Sequence, residues 1–192
     1  HQQEVTGHDR VGVMLRHITE TRDWVERVVI GLKLCPFAPA PAIKGLIRYA
    51  TSDAKTPEAL VEDLATELQR LIASPPEELE TTLLIHPQVL QNFHDFNDFL
   101  DVADELLRML ELEGEIQIAS FHPDYQFEGT ESDDIGNETN RSPYPTLHLL
   151  REESIARAVD SFGDTSSIPD TNLMTLKRVG REKLQALKRG AP

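Results

Sequence analysis

At 192 residues, with 39% hydrophobic and 27% charged side chains, the chain has the size and composition of one soluble globular domain. Its formal net charge of −14 repels phosphodiester backbones and argues against nucleic acid as a partner. No apolar run approaches the roughly 20 residues that cross a bilayer. Residues His1 to Arg10 are a polar tail without the apolar segment of a secretory signal. The single cysteine, Cys35, excludes an intrachain disulfide, and this pattern points to a cytoplasmic protein.

Helical spacing of Ile18, Val25, Val28, Val29 and Leu32 predicts a first helix over Val11 to Leu34. Pro36, Pro39 and Pro41 end it by removing amide donors. Gly45 to Thr51 follows as a strand. Thr56-Pro57-Glu58 then starts a helix with a capping hydroxyl, a proline where no donor is needed and an acid in the first turn. Leu60, Leu64, Leu68 and Leu71 are its apolar stripe, and Ser74-Pro75-Pro76 stops it. Thr81 to Ile85 is a second strand, a helix near Asn97 ends at Gly114, and Glu115 to Ser120 is a third strand. Periodicity then disappears from Pro123 to Tyr144, a length that marks a functional or disordered loop. Helix is expected again from Pro145 to Val159. After a linker, Ser161 to Pro169, a last helix is expected from Asn172 to Leu187.

The fold class is therefore α/β, in α-β-α-β-α-β-loop-α-α order. The expected sheet is open, at least partly parallel, with three to five strands and flanking helices. One domain covers residues 1–192, and residues 161–192 form a basic helical arm with freedom to be mobile. That arm reads as a solvated basic face, or as a segment that docks on the protein's own acidic loop or on a partner.

Two His-Pro pairs, His86-Pro87 and His122-Pro123, each follow a predicted strand. In open parallel sheets ligands bind beyond the carboxyl ends of the strands, so adjacent strands would bring both imidazoles to one crevice. There they are candidates for acid-base catalysis or, with Asp124, for holding a divalent metal. The plainer reading is that each ring bonds a loop carbonyl and closes its strand. Asn140, Arg141, Ser142 and Tyr144, followed by His148 and Arg151, form a second constellation suited to binding an anionic substrate. On a helix, His148 and Arg151 would share a face. The alternative is an ornate turn in which Arg141 pairs with Asp133, Asp134 or Glu138. Cys35 is the weaker third catalytic candidate, because it follows an expected helix C-terminus where the dipole disfavours a thiolate. No dinucleotide or phosphate-loop signature is present.

The runs Leu34-Cys35-Pro36-Phe37-Ala38, Thr81 to Pro87, Ser120 to Phe127 and Thr139 to Pro145, with His148 to Glu152, carry a resemblance. The chain resembles an uncharacterised bacterial family, domain of unknown function 1415, from the first helix to about Gly180. The resemblance implies a stand-alone bacterial protein with these motifs as its signature, and no activity. From the residues themselves the expectation is a small-molecule hydrolase or group transferase acting on an anionic substrate at the strand ends. The alternatives are a non-catalytic metabolite- or metal-binding protein and an oligomeric scaffold.

Overall fold

The computed structural model describes residues 7–190. The first six residues of the expected polar tail lie outside that range, and the rest of the tail already belongs to α1, Gly7–Trp24. At Trp24 the helix widens into a π-helix, Val25–Ile30, and a short α2 spans Pro39–Ile43. Then come β1 (Ile47–Thr51), α3 (Pro57–Ala73), β2 (Thr81–Ile85), α4 (Phe93–Met109) and β3 (Ile116–Phe121). A 3-10 helix, Ile135–Asn140, precedes β4 (Thr146–Arg151), and α5 (Glu152–Phe162), α6 (Ile168–Val179) and α7 (Arg181–Lys188) complete the chain. Among the described residues no helix is long and apolar enough to cross a membrane.

The Thr56 hydroxyl accepts from the Ala59 amide at the start of α3, with Pro57 at the first helical position. Asn92 caps α4 in the same way, through the Asp95 amide. The two helices cover one sheet face with Leu60, Leu64, Leu68 and Leu71 and with Phe96, Phe99 and Ala103, all packed on Ala50, Leu84, Leu147 and Leu149.

The sheet has four strands in the order β1-β2-β4-β3. β1 and β2 are parallel, as α/β alternation demands, while β4 lies between β2 and β3 and is antiparallel to both. The expected helix from Pro145 to Val159 is therefore corrected: its first half is a strand, and helix begins at Glu152. In Thr146-Leu147-His148-Leu149-Leu150-Arg151 the decisive period is two. Leu147 and Leu149 are wholly buried on the α3/α4 side, and His148 and Leu150 turn to the other side. A central slot with ladders on both flanks overrides the helix propensity of leucine.

The opposite face is covered by the π-helix, α6 and α7, through Trp24, Val25, Val28, Leu34, Leu176 and Leu184. The arm, described over 161–190, is thus packed rather than merely solvated: Leu176 and Leu184 are wholly buried. The final helix is two helices, broken at Gly180 with φ +80°. The arm's basic side docks on the acidic loop, where buried Glu138 pairs with Lys188, Arg181 and Arg141. Asn137, also wholly buried, organises the same loop by accepting from the Phe127 amide and the Thr130 hydroxyl and donating to the Glu131 carbonyl.

Arg151 closes the far end of the sheet. Its Nη2 lies 2.7–2.8 Å from the carbonyls of Leu71, Ser74 and Leu79, at the C-terminus of α3. A cation there satisfies orphan carbonyls and opposes the helix dipole. Replacing Arg151 by Met should cost about 2–4 kcal/mol in urea unfolding, with Arg151→Lys recovering only part of the loss. A change below about 0.5 kcal/mol in the Met variant would show that this clamp contributes nothing.

Candidate active site

The two faces of the sheet divide the expected site residues. β2 and β3 are not neighbours, so His86 and His122 stand two strand spacings apart, about 9.6 Å along the sheet, with β4 between them. Both rings turn toward α4 and meet on Phe96, at centroid distances of 5.7 and 5.0 Å. They are brought together, but in packed protein. Both residues are wholly buried, and neither lines the sheet-face cavity described below.

Their hydrogen bonds explain why. His122 Nε2 donates to the Leu90 carbonyl, and its Nδ1 accepts from the Asp124 amide, so neither nitrogen is spare. His86 Nδ1 donates to the Val89 carbonyl, leaving Nε2 buried without a partner. Burial, chiefly, pushes the His86 pKa down to about 4 and lowers that of His122. The loop after β2, held by both rings, seals the crevice that the His-Pro pairs suggested. Asp124 is exposed. Among the described residues no group of three or more His, Cys, Asp or Glu side chains is arranged to hold a metal ion.

The polar constellation disperses as well. Arg141 spends its guanidinium inside the loop, on the Tyr125 carbonyl at 3.0 Å, the Ser132 carbonyl at 2.7 Å and Glu138. The Ser142 hydroxyl donates to the Tyr144 carbonyl, and the Tyr144 hydroxyl donates to Glu20. Burial and Glu20 raise the Tyr144 pKa to about 12. His148 and Arg151 lie three apart on a strand instead of a helix, so they do not share a helix face.

One cavity of about 390 Å³ lies on the face opposite α3 and α4. Its floor is His148, flanked in register by Leu83 of β2 and Ala119 of β3. The π-helix contributes Val25 and Val29, Trp24 precedes it, and Cys35, Phe37 and Pro41 form one wall. Ile155 and Ala158 of α5 form another, and Thr139 and Asn140 close the loop end. Asn140 and Arg151 thus border this space, whereas Arg141, Ser142 and Tyr144 do not.

Thr81 fixes the chemistry of the floor. Its hydroxyl has one proton, donated to the Leu149 carbonyl at 2.6 Å. At 2.8 Å from His148 Nε2 it can therefore only accept, which places the imidazole proton on Nε2. Nδ1 is left as a bare acceptor with no hydrogen-bond partner among the described residues. Burial pushes the His148 pKa down to about 4, so the ring is neutral near pH 7.

Cys35 is half-buried and follows the turn Gly31 to Leu34, which closes the π-helix with amide bonds from Lys33 and Leu34 to the Ile30 and Val29 carbonyls. Its position is enforced on both sides. Lys33 has φ +56°, a left-handed conformation costly for a side-chain-bearing residue. Asn172 of α6, buried, donates to the Leu34 carbonyl at 2.8 Å.

Sequence reading did not single out Thr81 or Trp24. Thr81 carried a usable signal, since a threonine on the cavity face of a central strand must bond a neighbour. The π-helix left none.

A mixed α/β domain with one apolar, histidine-floored cavity on a sheet face is the class of protein that these features define. The chain belongs to the family described as protein of unknown function (DUF1415), whose model matches residues 16–186 and so extends into the basic arm. No curated protein and no solved structure matches the chain.

Two outcomes follow from the buried histidines. His122→Ala should lose about 2–4 kcal/mol of stability, because it strands the Leu90 carbonyl and the Asp124 amide and opens a void beside Phe93 and Phe96. The second concerns pH. His86 and His148 titrate near 6.5 when unfolded and near 4 when folded, so between those values the unfolded chain holds more protons. Stability is complete above about pH 6.5 and falls toward pH 4, by roughly 3 kcal/mol for His86 alone. Urea midpoints that stay level from pH 7.5 to 4.5 would contradict this assignment.

Proposed function

We propose that this protein is a small-molecule enzyme of the hydrolase or group-transferase kind, working in the sheet-face cavity with His148 as its proton acceptor. The observation that carries the reading is the Thr81–His148 pair, which presents a neutral, single-tautomer imidazole with a free Nδ1 to an apolar space. A base fixed in one tautomer by a neighbouring hydroxyl is what proton transfer from a bound substrate needs. A cavity of this size suits a small organic ligand.

The walls also define the substrate. Leu83, Phe121, Val29, Ile155 and Leu150 supply apolar surface, and Arg151, which borders the space, holds its Nη2 on the carbonyls of Leu71, Ser74 and Leu79. The predominance of apolar surface suits an uncharged, largely apolar substrate, where the Arg141 constellation had suggested an anion. A second reading, a non-catalytic carrier of the same ligand, is favoured by how little polar surface the walls offer.

The test combines binding with turnover. Nile red, a neutral apolar dye, should bind the protein, and Ala158→Trp, on a helix with no buried residue, should abolish binding without lowering Tm. His148→Gln should keep the dye and lose about 100-fold or more of any hydrolysis of uncharged esters. Dye binding without turnover by the wild type would establish the carrier instead. Turnover that survives in His148→Gln would remove His148 from the chemistry.

A further inference from the structure

We infer that Cys35 is the nucleophile of an acyl-transfer reaction in this cavity, with the acyl group of an uncharged ester or thioester as its substrate. This rests on the proposed role of His148. Three observations join the cysteine to that site. Cys35 and His148 line one cavity of about 390 Å³, small enough that a single ligand touches both walls. Next, the base has its acceptor nitrogen free: Thr81 holds Nε2, so Nδ1 is the atom of His148 that can accept a thiol proton.

The third observation points to the ligand itself. Six buried polar side-chain atoms among the described residues lack a hydrogen-bond partner, and three of them belong to Trp24, Arg151 and Ser154, which line this cavity. Orphan polar groups gathered on one space indicate a partner supplied by a ligand. Trp24 is 2% exposed, and its indole N–H, a donor only, suits a carbonyl oxygen that gains negative charge. The turn through Lys33 and the Asn172 bond to the Leu34 carbonyl, both described above, fix Cys35 in the wall of this space.

The step balances without an outside oxidant or reductant. The Cys35 thiol gives its proton to His148 Nδ1 as sulfur bonds to the acyl carbon. The bond from that carbon to the leaving oxygen or sulfur breaks, and the leaving group takes the proton from Nδ1. Water or an acceptor hydroxyl then loses its proton to Nδ1 and attacks the thioester carbon. The Cys35 sulfur leaves and recovers the proton.

The experiment uses p-nitrophenyl butyrate with the full chain, following nitrophenolate release in a stopped flow and intact mass after a quench. The wild type should show a burst of one equivalent and gain one butyryl group on Cys35. His148→Gln should slow that acylation about 100-fold or more at unchanged Nile red binding, and Cys35→Ser should show neither burst nor adduct. Wild-type turnover that persists in Cys35→Ser overturns the nucleophile while leaving the His148 reading intact. Acylation of Cys35 at one rate in the wild type, His148→Gln and urea-unfolded protein overturns both. Trp24→Phe separates the donor from the packing: burst rate should fall about 10-fold or more with dye binding retained, and an unchanged rate removes the indole from the carbonyl site.

Discussion

The Thr81 hydroxyl sits between the Leu149 carbonyl and His148 Nε2, and its single proton can serve only one of them. Because the carbonyl has no proton to offer, the hydroxyl donates to it and accepts from the ring. That arrangement exists only because β4 lies between β2 and β3. The antiparallel register sets Thr81 opposite Leu150 and so diagonal to His148, within reach on the same face. Sheet order, strand register and tautomer are thus one constraint seen at three scales. The cavity depends on it too, since the small Ala119 beside His148 leaves space above the sheet where a larger side chain would fill it.

The two sheet faces do different work. On one, long regular helices bury a continuous leucine and phenylalanine core, and even the polar groups there, His86, His122 and Arg151, close loops and helix ends. On the other, the covering layer is a π-helix, a proline-rich turn, a helix with no buried residue and a docked C-terminal arm. Irregular cover packs less completely than regular helix, and the cavity lies beneath it. Glu138 ties the arm to the loop that supplies Thr139 and Asn140, so the loop end of the cavity is braced by the most basic part of an acidic chain.

Much of the fold was legible because local chemistry and tertiary demand agreed. The Thr56-Pro57 cap, the leucine stripe of α3 and the strand Thr81 to Ile85 follow from patterns that burial only reinforces. β4 failed because Leu, His and Arg fit helix and strand alike, and its period of two spans too few residues to outvote propensity. The expected open crevice depended on that one error. With β4 absent, His86 and His122 become neighbours at an open crevice. With it present, they plug loops, and His148 moves from a helix surface to the floor of a cavity. Cys35 was the weaker candidate on a dipole argument that placed the helix end at Leu34, whereas the helix ends at Ile30 and a turn from Gly31 to Leu34 precedes the cysteine.

The central claim is that His148 is neutral, protonated on Nε2, and open at Nδ1. Two-bond ¹H–¹⁵N NMR correlation of uniformly labelled protein, titrated from pH 8 to 5, tests it directly against a Thr81→Val variant. The expected result is an Nε2–H pattern for His148 that persists unchanged to pH 5, and its loss or mixing with the other tautomer in Thr81→Val. An Nδ1–H pattern in the wild type, or a titration midpoint near 6.5, would contradict it.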